Sequence, residues 1–429
     1  MEAIPIHPPF RLADAGLPPG VSPFHQGQTV PIRVDIDIDS AGLIAAIHDA
    51  GTTRIPGPVV HLGGRMVLPG LVDAHAHIDK SHTWGRAPNP DGTLRGARDA
   101  AKADRLVQWS FDDVHRRMDF AIRTAYTHGT VALRTHIDSQ EDRAQPSWAA
   151  LARLRRDWQG RMIIQGVTTL GIHKLSGPWG ETIADLAADH GAILGPVVYD
   201  GPALDDELDR AFDLAETRGL DLDFHVDETA DPGADGLTKI ADAMLRRGFK
   251  GKVTCDHACS LAQRDGPQVA RTIRRVKEAG IGVVSLPMTN IYLMDRGRGR
   301  TPRWRGITLV QELKAGGVKV ALAGDNVRDA FHPYGDHDML DVFRDALRLG
   351  HLDMPIGDWP GAICAVAADI LGLKDTGRID VGLSADLVIF QGRDYSEVLA
   401  RHGLGRIVLR RGQAIDTTPP DYRELDDLH

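Results

Sequence analysis

LPGLVDAHAHIDKS, residues 68–81, is the stretch whose reading decides the fold. From Leu71 to Ile78 it reads as one strand, apolar at the start and ending in His75 and His77. Residues two apart on a strand share a face, so both imidazoles can reach one metal ion. Downstream the strand pattern recurs. GTVALRTHI from Gly129, MIIQGVTTL from Met162, AILGPVV from Ala192 and LDLDFHVD from Leu220 are strand-like runs. So are KVTCDHA from Lys252, IGVVSLP from Ile281 and VKVALAGD from Val318. Each of the eight has room for a helix behind it, and stretches such as ELDRAFDLAETRG and PQVARTIRRVKEAG have helical spacing and end at glycine. Eight βα units in one run predict a closed parallel (β/α)8 barrel of the TIM type.

Several strands end in polar residues. His225 closes the fifth in FHVDE, His257 the sixth in CDHA, and Asp325 the eighth in LAGDN. Catalytic residues of such barrels converge from the C-terminal ends of several strands. Imidazoles and a carboxylate meeting there suit a divalent ion.

Outside the barrel the pattern changes. IRVDIDID (Ile32 to Asp39) alternates apolar and polar residues, the period of a half-buried strand. VGLSADLVIF and GRIVLRRGQAI return to short strands after the last helix. The expected organisation is a barrel over 66–372, with residues 1–65 and 373–429 pairing into one small β-sandwich domain made by both chain ends. The chain has 429 residues, 42% hydrophobic and 25% charged, ordinary for a globular protein with a large core. A net charge of −9 argues against a nucleic-acid or anionic-membrane binder. The start, MEAIPIHPPF, lacks the basic and apolar run of an export signal, and no apolar stretch is long enough to span a bilayer. Three cysteines, Cys255, Cys259 and Cys364, make no disulfide framework and fit a reducing cytoplasm. The expected partner is a small heterocyclic substrate, with no nucleic acid or membrane, and the protein is expected to be a homo-oligomer.

LPGLVDAHAHIDKS, FHVDE, His257 and Asp325 together resemble the amidohydrolase superfamily, and VGLSADLVIF resembles its C-terminal β-domain motif. LPMTNIYLMDRGRGRTPRWRGITLVQEL is similar to the strand-seven loop of the cytosine deaminase branch. HIDKS, RTHID and GDNVRDAFHPYGDHDML also resemble N-isopropylammelide isopropylaminohydrolase, which strips isopropylamine from an s-triazine. The resemblance spans roughly residues 66 to 390. It implies that His75, His77, His225 and Asp325 hold one divalent ion (Zn or Fe, with Mn as a third choice). It further implies that Glu228 shuttles the proton and that His257 contacts the hydrolytic water or the oxyanion. A bound ion brings its water's pKa near about 7, and the hydroxide so formed attacks the ring carbon bearing the amine. Glu228 and Asp325 handle the protons. Strand four offers no Lys or Glu to bridge a second metal, so one ion is expected.

The expected activity is thus hydrolytic deamination of a small N-heterocycle such as a pyrimidine or s-triazine, releasing ammonia or an alkylamine. Substrate-side candidates are Lys80, His136, Thr169, Asn326 and Phe331. Cytosine deaminases carry a glutamine after strand three where this chain, placed without gaps, has Thr169; a small shift would put His173 or Lys174 there. Asn326 likewise replaces the second carboxylate of strand eight, so cytosine itself is expected to be a poor substrate. The rival activity is a cyclic amidohydrolase opening a ring C–N bond, and the rival of another class is a silent barrel used as a scaffold. Cys255 and Cys259 are expected to be packed thiols. Arg296, Arg298, Arg300, Arg303 and Arg305 are expected to form a solvated loop or subunit contact rather than a substrate clamp. His82, His332 and His337 are expected at the surface.

Overall fold

The eight runs form one sheet in the computed structural model, which describes residues 7–25, 27, 29–52, 57–141 and 143–428. Residues 1–6, part of the segment read for an export signal, lie outside the described residues. Ahead of the barrel come β1 (Phe10–Leu17), β2 (Ile32–Ile38), β3 (Ile44–Asp49), β4 (Val59–His61) and β5 (Val67–Pro69). The barrel strands are β6 (Leu71–Ala76), β7 (Thr130–Asp138), β8 (Ile163–Gly171) and β9 (Pro196–Val197), then β10 (Leu222–Val226), β11 (Val253–His257), β12 (Gly282–Ser285) and β13 (Lys319–Leu322). After them come β14 (Leu387–Ile389), β15 (Ile407–Arg410) and β16 (Gln413–Ala414).

β6 to β13 pair in chain order, with parallel registers such as Phe224 on Cys255 and Val283 on Val320. The ring closes at one bridge. The Asp325 N–H donates to the His75 carbonyl at 2.8 Å, and the His77 N–H to the Asp325 carbonyl at 3.1 Å. First and last strands thus meet at the residues picked out for chemistry. Strand four is shorter than the run from Ala192 suggests. Gly195 and Pro196 interrupt it, and Pro196 has no N–H to donate, so regular pairing is confined to Pro196–Val197 with single bridges at Ile193 and Leu194.

Helices fill the intervals. In Leu204–Arg218 the buried residues Leu204, Leu208, Ala211, Phe212 and Ala215 follow the helical period, and the helix stops at left-handed Gly219. The first interval differs, because two helices lie between β6 and β7: α1 (Leu94–Gln108) and α2 (Phe111–Thr127).

The chain divides into two compact units. One holds the described residues of Met1–Asp73, Arg123–Ala132 and His337–Asp421; the other holds Ala74–Ile122, Leu133–Asp336 and Tyr422–His429. The first contains two four-stranded sheets, ordered β3-β2-β1-β4 and β16-β15-β14-β5. β14 runs antiparallel to β5, with Leu387 on Pro69 and Ile389 on Val67, so the strand just before the barrel and strands from after it share one sheet. Gly42 permits a close approach there. Its φ is +77°, and a Cβ would lie 2.1 Å from the Arg411 carbonyl oxygen. The second unit carries the barrel's C-terminal strand ends and every residue expected in catalysis.

Candidate active site

His75 lies in β6, His77 one residue beyond it, His225 in β10 and Asp325 just past β13. All four are buried. The His77 Nε2 is 3.2 Å from the Nε2 atoms of both His75 and His225. Asp325 Oδ1 lies 3.4 Å from the Nε2 atoms of His75 and His77. Four ligand atoms on a tetrahedron with bonds of 2.0–2.1 Å stand about 3.3 Å apart, the spacing found among His75, His77 and Asp325 and between His77 and His225, with His75, His77 and Asp325 forming the compact ligand group. Among the described residues neither oxygen of the buried Asp325 carboxylate has a hydrogen-bond partner, which is costly unless a cation faces it. Burial, with Lys80 beside His77 and His75 beside His225, holds both imidazoles well below their ordinary pKa, in the neutral form a metal requires. Burial opposes ionisation of Asp325, and His75 more than reverses it. Asp325 and His257 adopt φ of 58° and 68°, strained values for non-glycine residues, and both occur where side chains must turn into the barrel mouth.

A second layer holds the first. Asp256 Oδ2 accepts from His75 Nδ1 at 2.8 Å, fixing the tautomer whose Nε2 lone pair turns toward His77 and Asp325. His136 stacks on His75 with centroids 3.8 Å apart, and its Nε2 is 3.3 Å from Asp223 Oδ1. Burial and the charge of His75 bring His136 down to about 4. Beneath it Arg134 donates to Asp223 at 2.6 Å and to Thr254 at 3.2 Å, neutralising a carboxylate that burial would otherwise penalise.

Above the cluster opens a cavity of about 540 Å3, within the range of small-molecule sites. His77, His225, Asp325, Glu228 and His257 line it. Glu228 Oε1 is 3.6 Å from His257 Nδ1, and the Asn290 amide approaches the same nitrogen at 3.0 Å. His257 Nε2 is therefore left to carry a proton, and it is buried without a partner. Of the substrate-side candidates, Lys80, Thr169, Asn326 and Phe331 line the cavity, whereas His136 lies beneath His75. Thr169 Oγ1 is buried and unpartnered. Lys80 donates to Asp138 at 3.2 Å and sits 5.2 Å from the Phe331 ring centre. Burial pulls Lys80 down, but the Asp138 and Asp79 carboxylates outweigh it.

Two expectations about side-chain surroundings resolve differently. Cys255 and Cys259 are buried free thiols, as expected. His82, His332 and His337, expected at the surface, are buried, because the loops that carry them fold inward. His82 packs on Phe120 at 4.8 Å, and His332 Nδ1 lies 3.1 Å from the Asn326 carbonyl. The sequence reading also passed over Asp223, Asp256 and Asn290. The first two carry a visible signal, since each acid sits in a strand that also carries a site histidine. It missed the cavity face of α1 as well, where Arg98, Ala101, Lys102 and Arg105 line the cavity.

The amidohydrolase family pattern matches residues 58–189 and 184–415. The chain belongs to the amidohydrolase family, and it is a hydrolase acting on carbon–nitrogen bonds, of the deaminase type. It is 45% identical over 398 residues to a pterin deaminase of Rhizobium rhizogenes, covering 92% of this chain and 91% of the relative. An N-isopropylammelide isopropyl amidohydrolase of Pseudomonas sp. is 25% identical over 365 residues, covering 82% and 86%. Among solved structures, 5-methylcytosine deaminase from Klebsiella pneumoniae superposes with a TM-score of 0.82 at 24% identity, covering 96% of this chain and 98% of that one. At that identity the likeness concerns the fold.

Proposed function

We propose that this chain deaminates a pterin-like ring, a pyrimidinone fused to a second ring, at its exocyclic amine, releasing ammonia. His75, His77, His225 and Asp325 would hold one divalent ion, zinc or iron before manganese. The observation that carries this reading is the compact group of His75, His77 and Asp325, with His225 at 3.2 Å from His77, beneath a cavity that Glu228 and His257 also line. When bound, the ion supplies Lewis acidity and brings a water's pKa toward about 7. Asp325 accepts a proton as the water adds to the ring carbon that bears the amine. Glu228 carries the other proton of that water to the neighbouring ring nitrogen, which makes the carbon electrophilic, and then carries the proton held by Asp325 to the departing amine as the C–N bond breaks. His257, with Nε2 protonated, donates to the new oxygen.

The 45% identity to a pterin deaminase over nine-tenths of both chains favours a bicyclic ring. The cavity volume and the short Thr169 side chain, which leaves room where a glutamine would intrude, fit the same choice. Lys80, Asn326 and Phe331 would bound the ring, and His136 would support His75 from below. Three buried free thiols support a reducing, cytoplasmic setting.

Ammonia release is to be measured from pterin, cytosine, ammelide and N-isopropylammelide on protein of known metal content. Pterin should have the highest kcat/KM, at about 10⁴ M⁻¹s⁻¹ or more, with one equivalent of ion per chain. Preference for cytosine would overturn the substrate assignment. Turnover in metal-free protein, or two equivalents at full activity, would overturn the site.

A further inference from the structure

We infer that Arg98, on the extra helix α1, is a positioning residue for Glu228. The inference deepens the proton-transfer role proposed for that glutamate and rests on it.

α1 is fixed at both ends. At its start Thr93 caps Gly96 N–H at 3.0 Å, Asn89 donates to the Ala330 carbonyl at 3.0 Å, and Ala97 packs with Leu293, Met294 and Ala330. At its end Arg105 donates to Asp138 at 2.9 Å, and Asp104 receives Arg86 at 2.8 Å and Trp109 Nε1 at 2.8 Å. Between these anchors the spacing i, i+3, i+4, i+7 turns Arg98, Ala101, Lys102 and Arg105 toward the cavity. Arg98 Nη2 lies 3.8 Å from Glu228 Oε2, and its guanidinium sits 5.4 Å from the Tyr199 ring centre. The other Glu228 oxygen, Oε1, faces His257.

The carboxylate is thus held between two groups of different use. Arg98 draws Oε2 to the wall of the cavity and leaves Oε1, on the His257 side, to exchange the proton with the bound ring. Arg98 cannot accept a proton, so it can aim the shuttle without competing for its cargo. Removing Arg98 should leave ring binding almost intact and slow the steps in which protons move.

Arg98→Met, Arg98→Lys and Glu228→Gln are to be assayed with pterin, with ion content and melting temperature read on the same samples. Arg98→Met should lower kcat by about tenfold with KM within about twofold, and should raise the solvent deuterium isotope effect on kcat. Arg98→Lys should restore most of kcat and bring the isotope effect back. Should Arg98→Met fold poorly or lose the ion, Arg98→Gln, which keeps polarity without the charge, is read in its place against the same expectation. An unchanged kcat and isotope effect overturns the inference, and so does a rise in KM alone, which would make Arg98 a substrate contact. Near-native turnover in Glu228→Gln would instead remove the shuttle role itself, a different failure read on a different variant.

Discussion

Glu228 and Asp325 are both carboxylates of the same mouth, yet their surroundings differ, and so does the work proposed for each. Asp325 is fully buried among histidines, whereas Glu228 is partly exposed and faces Arg98 and His257. Glu228→Gln should therefore keep the ion, measured by elemental analysis, and lose roughly 10²–10⁴-fold in kcat. Retention of turnover would move the proton shuttle elsewhere. Asp256→Asn leaves His75 Nδ1 without its charged acceptor, and metal affinity should fall by about 10–100-fold in competition with a chelator. Asp329 gives a pH signature outside the catalytic step. Burial pushes its carboxyl up to about 7, against hydrogen bonds from the Asn326 amide at 2.7 Å and two backbone N–H groups. The folded protein therefore holds that proton more tightly than the unfolded chain, whose aspartate titrates near about 3.9. This stabilisation is complete below about pH 4 and is lost as pH rises through about 7. Melting temperatures of Asp329→Asn should fall less than those of the native protein between pH 5 and pH 8. Parallel slopes would show that the carboxyl ionises freely.

At the scale of elements, the barrel strands were legible because parallel strands covered on both faces read as apolar runs, and polar residues at their ends stand out. The pair His75 and His77 follows from strand alternation alone. That rule does not reach His257, whose left-handed backbone ends the alternation, and so the inward-facing Asp256 one residue earlier went unnoticed. α1 was missed for a related reason. Its inner face carries Arg98, Lys102 and Arg105, because it lines a cavity and not a core, and a search for apolar periodicity passes over such a helix. Its anchorage predicts a further effect. Arg86 binds Asp104 of α1 and Asp113 of α2 together, and donates to the Leu428 carbonyl at 2.8 Å. Arg86→Ala would leave the buried Asp104 without its cation, while Asp113 keeps Arg117 at 2.7 Å, at a cost of about 3 kcal/mol. Chemical denaturation should show that loss, while a midpoint within error of the native protein would mean that the two helices are held by packing alone.

At the scale of the molecule, ion binding and folding should be linked, because the proposed ligands do not converge in an unfolded chain. Removing the ion with a chelator should lower the melting temperature, and returning it at increasing concentration should raise it by mass action. The ring closes between β6 and the residue after β13, through two backbone hydrogen bonds made by His75, His77 and Asp325. The site is thus built across the seam of the barrel. An ion shared by His75 and Asp325 would join positions 250 residues apart in the chain, and in polymer terms it acts as a reversible crosslink. A tie across a loop of that length removes roughly 5 kcal/mol of chain entropy from the unfolded ensemble, on the loop-closure arithmetic used for disulfides. Amide exchange in metal-free protein should then accelerate first at His77 and Asp325, ahead of the β10–β11 pair on the far side of the ring. The stave and the clasp of this barrel are then one object: an enzyme that loses its ion loses the hoop that keeps the staves together.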